Sequence, residues 1–145
     1  MAYGTPAGVA ALARVWTQDG VFRDAVEDYD IRATNPSLSM CTTWIENVSA
    51  QMDVALGSEW FVTPIDPTAS PIAYKAVSQY VVGLVADMVH VANGVDREVS
   101  PLGKILQDMT KWVQMNADGL VGDAVRQEPT PSTKRQTVFR VIGTL

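Results

Sequence analysis

The sequence predicts an all-α fold: a bundle of about four helices with long connecting loops and a C-terminal extended arm. Three observations carry this. A capping side chain stands directly before a proline four times, at Thr5-Pro6, Asn35-Pro36, Ser70-Pro71 and Ser100-Pro101. The apolar residues after each proline recur at helical spacing. Finally, residues 136–145 alternate and are rich in β-branched side chains, beyond a polar stretch twice broken by proline. The start signal is physical: the cap oxygen accepts from an orphan backbone N–H, and proline at the first helical position has no N–H to leave unpaired. A strand protein keeps its prolines at edges and turns.

The first helix follows Pro6, with Val9, Leu12, Ala13 and Trp16 on one face and Asp19-Gly20 as its stop. The second follows Pro36. Leu38, Cys41, Ile45, Val48, Met52 and Ala55 make one stripe, and Gly57 is the natural C-cap. The third follows Pro71, from Ala73 through Val77, Tyr80, Val81, Leu84, Val85 and Met88 to Val91, and Asn93-Gly94 ends it. Its apolar residues cover more than half the circumference, so it is expected to be the most buried. The fourth follows Pro101, with Leu102, Ile105, Leu106, Met109, Trp112 and Val113, and its stripe fades from Met115 to Asp118.

Two connections are long. Residues 21–34 form a mostly acidic loop with Arg23, Asp24, Glu27, Asp28, Asp30 and Arg32. Trp60 to Thr63 is apolar and β-inclined, and Pro64-Ile65-Asp66-Pro67 then enforces an extended path. Loops of this length in a small domain usually carry contacts. The domain reading is a helical body over residues 1–126 and an extended arm over 127–145. Gln127 to Lys134 serves as linker and Gln136 to Leu145 as strand.

With 145 residues, 47% of them apolar, and a mean hydropathy of +0.05, the chain can enclose one core and is not disordered. Sixteen acids against eleven bases leave a net charge of −5, the wrong sign for a protein whose task is to grip nucleic-acid phosphates. The charge is unevenly placed. Residues 1–125 carry seven bases and fifteen acids, whereas residues 126–145 carry four bases and one acid. The longest uncharged stretch in the most apolar region, Ala76 to Ala86, is short of the ~20 residues a membrane span needs, so no membrane partner is expected. The N-terminus shows no secretory pattern, and folding in a reducing cytoplasm is expected.

No catalytic or cofactor constellation stands out. His90, the one histidine, sits between Val89 and Val91 and reads as a packed or helix-face residue. Cys41, the one cysteine, lies on an apolar stripe and reads as a small hydrophobe. One cysteine and one histidine cannot build a zinc site. The acids at 24–30 lack the glycine and alternating ligands of a calcium loop, and no glycine-rich phosphate loop occurs. No metal or cofactor is therefore expected, and the chain does not read as an enzyme. A small enzyme using Asp87 or His90 is the rival that a pocket of convergent polar groups would favour.

Contact chemistry is better marked. Trp16, Trp44, Trp60 and Trp112 fit as core or core-edge groups, while Trp60 and Phe61, beside the proline-rich turn, are candidates for a subunit contact. In the tail, Val138, Phe139, Val141 and Ile142 are costly to leave in water. That segment either folds back on its own body or adds to another chain, and its opposite charge favours the latter. Lys134, Arg135, Phe139, Arg140 and Ile142 are the candidate docking residues.

Several stretches together resemble one family. They are Tyr3-Gly4-Thr5 with Val9, Asp19-Gly20-Val21-Phe22, and Trp44-Ile45 with Val48-Ser49-Ala50. Met52-Asp53-Val54-Ala55-Leu56, Trp60-Phe61-Val62-Thr63-Pro64-Ile65, Val85-Ala86-Asp87-Met88-Val89 and Ala92-Asn93 follow in order. Over roughly residues 3–93 the chain resembles the head–tail connector (adaptor) proteins of long-tailed bacteriophages. The family's pattern has a glycine where Glu59 stands here. The resemblance implies a structural virion protein at the head–tail junction, made in the host bacterial cytoplasm. It implies a homo-oligomeric ring, a dodecamer, below the portal protein. A terminal arm then binds the portal, a head-closure or tail protein lies downstream, and DNA passes through the channel without specific binding. The alternative is a cytoplasmic helical chaperone or partner-binding module.

Overall fold

A computed structural model describes residues 2–26, 32–95 and 108–127, and among these it holds four α-helices and no strand. They are α1 (Pro6–Leu12), α2 (Leu38–Ser58), α3 (Pro71–Ala92) and α4 (Met109–Val121), with one 3-10 turn, Arg14–Trp16, after α1. The long helices α2 and α3 pack along each other, and α1 and α4 each pack on both. The helical part of the expectation therefore holds, while the expected strand at 136–145 lies outside the described residues.

The helix starts show which caps act. Thr5 caps α1 as expected, its Oγ1 accepting from Gly8 N at 3.2 Å. Helix α2 begins two residues later than Asn35-Pro36 predicts, because Ser37 supplies the cap oxygen, to Met40 N at 3.2 Å. Asn35 instead accepts at its carbonyl from Asn93 Nδ2 (2.8 Å), joining the start of α2 to the end of α3. The Asn35–Pro36 and Thr63–Pro64 peptide bonds are cis. Helix α3 starts at Pro71 as expected, but the Ser70 hydroxyl donates to the Asp123 carbonyl (3.0 Å) rather than capping. The Asp123 carboxylate accepts from Ala73 N at 2.9 Å in its stead. The expected start of the last helix at Pro101 falls outside the described residues, and α4 as described is capped by Asp108.

The helix ends differ as well. Ala13 leaves the helical region (φ −124°, ψ 37°), so the stripe running to Trp16 is an α-turn pair followed by a 3-10 turn. Gly57 is not the stop of α2. The helix runs on to Ser58, Glu59 is its C-cap, and the left-handed residue is Trp60 at φ +68°. The α4 stripe does not fade at Met115, since Val113, Ala117 and Leu120 are all buried one or two turns apart. Met115 merely lies on the outer face.

Helix α3 has the largest set of buried residues, nine of them, as its apolar circumference predicts. It is also the one described helix long and apolar enough to cross a membrane, yet half of its most apolar window is buried inside the fold. Packing between helices accounts for that composition. At the N-terminus Tyr3 is wholly buried and acts as a rivet. Its N–H donates to Ser49 Oγ (2.8 Å), its hydroxyl donates to the Asp53 carboxylate, and the same hydroxyl accepts from Ile65 N (2.9 Å). Its ring meets that of Tyr74 at 5.7 Å. Gly4, next to it, sits at φ +118°, and a Cβ there would collide with the Val82 side chain, so only glycine fits.

Candidate functional site

The site is built where the turn after α2 meets residues 125–127. After α2 the chain turns sharply: Trp60 N donates to Gly57 O (3.0 Å) and Phe61 N to Leu56 O (3.1 Å). A tryptophan in the left-handed region costs roughly 1 kcal/mol against an ordinary backbone. The turn pairs with the end of the described chain. Val62 N donates to Val125 O (2.9 Å), Gln127 N donates to Trp60 O (2.6 Å), and Phe61 and Arg126 face each other as an antiparallel bridge. The β inclination of Trp60 to Thr63 is thus realised as a three-residue ribbon.

Arg126 locks this ribbon. Its Nε donates to the Glu59 carbonyl at 2.7 Å, its Nη2 lies 3.4 Å from the Glu59 carboxylate, and its guanidinium stands 5.5 Å over the Phe61 ring. Glu59 is accordingly half of an ion pair. Of the two aromatics expected at a subunit contact, Phe61 is buried in its own core (4% exposed) and Trp60 is open (44% exposed). Val62 and Val125 beside it are exposed too. The expected docking residues Lys134, Arg135, Phe139, Arg140 and Ile142 lie outside the described residues, so the structure brings together only the Trp60 turn and residues 125–127.

A second feature is a groove of about 490 Å³ between α1 and α3. Gly8, Ala11 and Leu12 form one wall, and Lys75, Ser78 and Val82 the other. Its lining is apolar apart from Lys75, Gln79 and Ser78, whose buried Oγ has no hydrogen-bond partner among the described residues. A smaller hollow between α2 and α3, about 330 Å³, is bordered by Trp44, Asp87, Met88 and Val91.

The titratable residues are engaged in structure. His90 accepts from Trp16 Nε1 at its Nδ1 (2.9 Å), which sets its tautomer and packs the indole edge-on. Cys41 is fully buried, and burial pushes its thiol up to about 11. Asp24, in the acidic loop, accepts from Ser39 N (2.9 Å) and Ser39 Oγ (2.8 Å). Those bonds, the backbone one foremost, hold its carboxyl below the ordinary aspartate value of 3.8. Burial and the Asp53 bond push the Tyr3 hydroxyl well above the ordinary tyrosine value. Among the described residues no three His, Cys, Asp or Glu side chains are grouped to hold a metal ion.

Three residues that matter here escape a reading by motif. Arg126 and Asp123 act across fifty positions or more, on Glu59 and Ala73, and Tyr3 reaches Asp53 and Ile65. The sequence signal for Arg126 is its place as the first base of the basic C-terminal segment. Comparison with known families, characterised proteins and solved structures finds no match.

Proposed function

We propose that the chain is a structural adaptor of the head–tail connector kind: a helical ring subunit that extends the DNA channel and docks a C-terminal arm on a portal protein. The observation that carries this reading is the clamp on Arg126. An arm with sticky, basic residues is of use as a tether only if its root is fixed, and Arg126 ties that root to the Trp60 turn through a carbonyl, a carboxylate and a ring. The charge separation supports it. An acidic body repels DNA phosphate and leaves it free to pass, while the basic arm is drawn to a different surface. A ring also needs two unlike faces, and the body offers an exposed aromatic turn and an apolar groove. In this role the chain performs no catalysis, and a head-closure or tail protein meets the ring on its far side.

Removal of residues 128–145, which spares every described element, tests the proposal. The truncated protein is expected to keep its helical circular dichroism and to lose co-sedimentation with purified portal. Undiminished portal binding overturns the arm's role. The groove between α1 and α3 also suits a helical chaperone or partner-binding module. That reading predicts a monomer or dimer without portal affinity, so the same sedimentation run separates the two.

A further inference from the structure

We infer that Trp16 and His90 form an acid-released latch: protonation of the imidazole frees the indole and unfastens the segment after α1 from the end of α3. The inference stands apart from the adaptor reading. Its chemistry lies in one bond. Trp16 Nε1–H donates to His90 Nδ1 at 2.9 Å, and an indole has a single donor and no acceptor. Nδ1 can accept only in the neutral ring that carries its proton on Nε2. Once Nδ1 gains a proton both ring nitrogens are donors, and two N–H groups face each other across the former bond. An imidazole is the side chain whose charge ordinarily changes between about pH 5 and pH 8.

The surroundings give both states of the ring a place. Among the described residues no carboxylate forms an ion pair with His90. Asp87, one turn earlier on α3, is buried and already engaged. Asp24, in the loop beyond Trp16, is bound to Ser39, and Asp108 caps α4. Helix α1 carries no charge, the first charged residue of α2 is Glu46, and Arg14 is the one charge in the turn of Trp16. His90 stands in the last turn of α3, where the helix end favours a positive charge. The charged ring is therefore tolerated, but only the neutral one holds Trp16. Release is local. Tyr3 stays fixed by Ser49, Asp53 and Ile65, Thr5 still caps α1, and the Asn35–Asn93 bond still joins α2 to α3. The backbone already leaves the helical region at Ala13, φ −124°, which supplies the hinge. The indole packs on the edge of the core, so freeing it opens apolar surface there.

Nuclear magnetic resonance on the full chain tests this. Trp16→Phe assigns the Trp16 indole N–H signal. Near pH 8 the ring nitrogens of His90 are expected to show the proton on Nε2. His90→Asn sets an amide oxygen where Nδ1 stood, an acceptor that does not titrate. Near pH 5 the indole N–H of the wild type is expected to exchange with solvent roughly fivefold faster than that of His90→Asn, the worth of one hydrogen bond, and near pH 8 at the same rate. The wild-type signal is expected to shift between the two conditions in step with the His90 ring, and the signal of His90→Asn to stay in place. The wild-type tautomer and titration test the latch without any variant. A proton on Nδ1 near pH 8, a Trp16 signal that ignores the titration of His90, or one that moves equally in His90→Asn overturns the inference.

Discussion

Arg126 reaches back to Glu59, donating from Nε to its carbonyl at 2.7 Å and setting Nη2 3.4 Å from its carboxylate. The two residues lie at opposite ends of the α3–α4 half of the molecule, so their contact closes that half into a loop. The carbonyl it uses belongs to the C-cap of α2, one of the orphan acceptors that every helix end must satisfy. A single side chain thereby finishes a helix, braces the strained Trp60 turn and anchors residues 125–127 against it.

Replacing Arg126 by Ala removes the bond, the partly exposed ion pair and the contact with the Phe61 ring. A loss of about 1–2 kcal/mol is expected in urea unfolding. Arg126→Lys is expected to recover little, since an ammonium cannot bond the carbonyl and cover the ring in one geometry. Hydrogen exchange should quicken at Val62 and Gln127, whose N–H groups pair across the ribbon. Unchanged exchange at these two amides would show that the ribbon holds without the clamp.

Tyr3→Phe keeps the buried ring and removes the hydroxyl, leaving Ile65 N–H without its acceptor. The expected cost is about 2–3 kcal/mol, chiefly the desolvation of that orphan donor. The same hydroxyl gives an alkaline signature. Its folded pKa is raised above the ordinary value of 10.0 by burial and by Asp53, so its contribution to stability is fully present below pH 10 and is lost as pH rises beyond it. Ultraviolet titration is expected to show Tyr3 silent until the protein unfolds, and Tyr3→Phe to remove that delayed contribution.

How far the sequence could be read follows from the range of each interaction. Helix periodicity and Thr5, Ser70-Pro71 and Asn93-Gly94 are local signals, and α3 runs from Pro71 to Ala92 as they require. The start of α2 was misplaced because Asn35 and Ser37 are both good caps two residues apart, and only the fold decides that Asn35 turns to Asn93. Gly57 misled for a related reason. A glycine is a free choice for a left-handed residue, yet here Trp60 bears it, beside the Glu59 carbonyl that Arg126 holds. At the site, Trp60 and Phe61 are legible together as contact candidates, yet only Trp60 is exposed and Phe61 points inward. Alternation along an extended segment sends adjacent side chains to opposite faces, and the segment alone does not say which is which.

Asp24 ties the acidic loop to the first turn of α2, where Ser39 N and Oγ both donate to its carboxylate. Its pKa is therefore depressed in the folded state, and its contribution to stability is present above the ordinary value of 3.8 and is lost as pH falls below that. Thermal midpoints of the wild type should drop more steeply than those of Asp24→Asn as pH falls from 5 toward 3. Parallel curves for the two proteins would mean that Ser39 gains nothing from the charge.

Cys41 reports on the core from inside. The thiol is wholly covered and burial pushes it up to about 11, so at pH 8 it is both unreachable and protonated. Reaction with an aromatic disulfide reagent is expected to be negligible in the native protein and complete in denaturant, with a native rate set by unfolding. Cys41→Ser is expected to cost about 1–3 kcal/mol, because a hydroxyl in that stripe needs a partner that a thiol does not.

Asp123 makes a long-range cap, fifty positions from Ala73, and it decides whether α3 and the end of α4 are one unit. Its carboxylate accepts from Ala73 N at 2.9 Å and its carbonyl from Ser70 Oγ at 3.0 Å, so both ends of the residue are used on the first turn of α3. Asp123→Ala removes only the carboxylate bond and the negative charge at that helix start. A loss of about 1 kcal/mol is expected, the usual worth of a cap. Asp123→Asn keeps an acceptor and should lose less. Because Asp123 precedes the ribbon by two residues, the alanine variant should also quicken hydrogen exchange at Gln127. If stability falls and exchange there does not change, α3 is capped independently of residues 125–127, and the Arg126 clamp alone holds them in place.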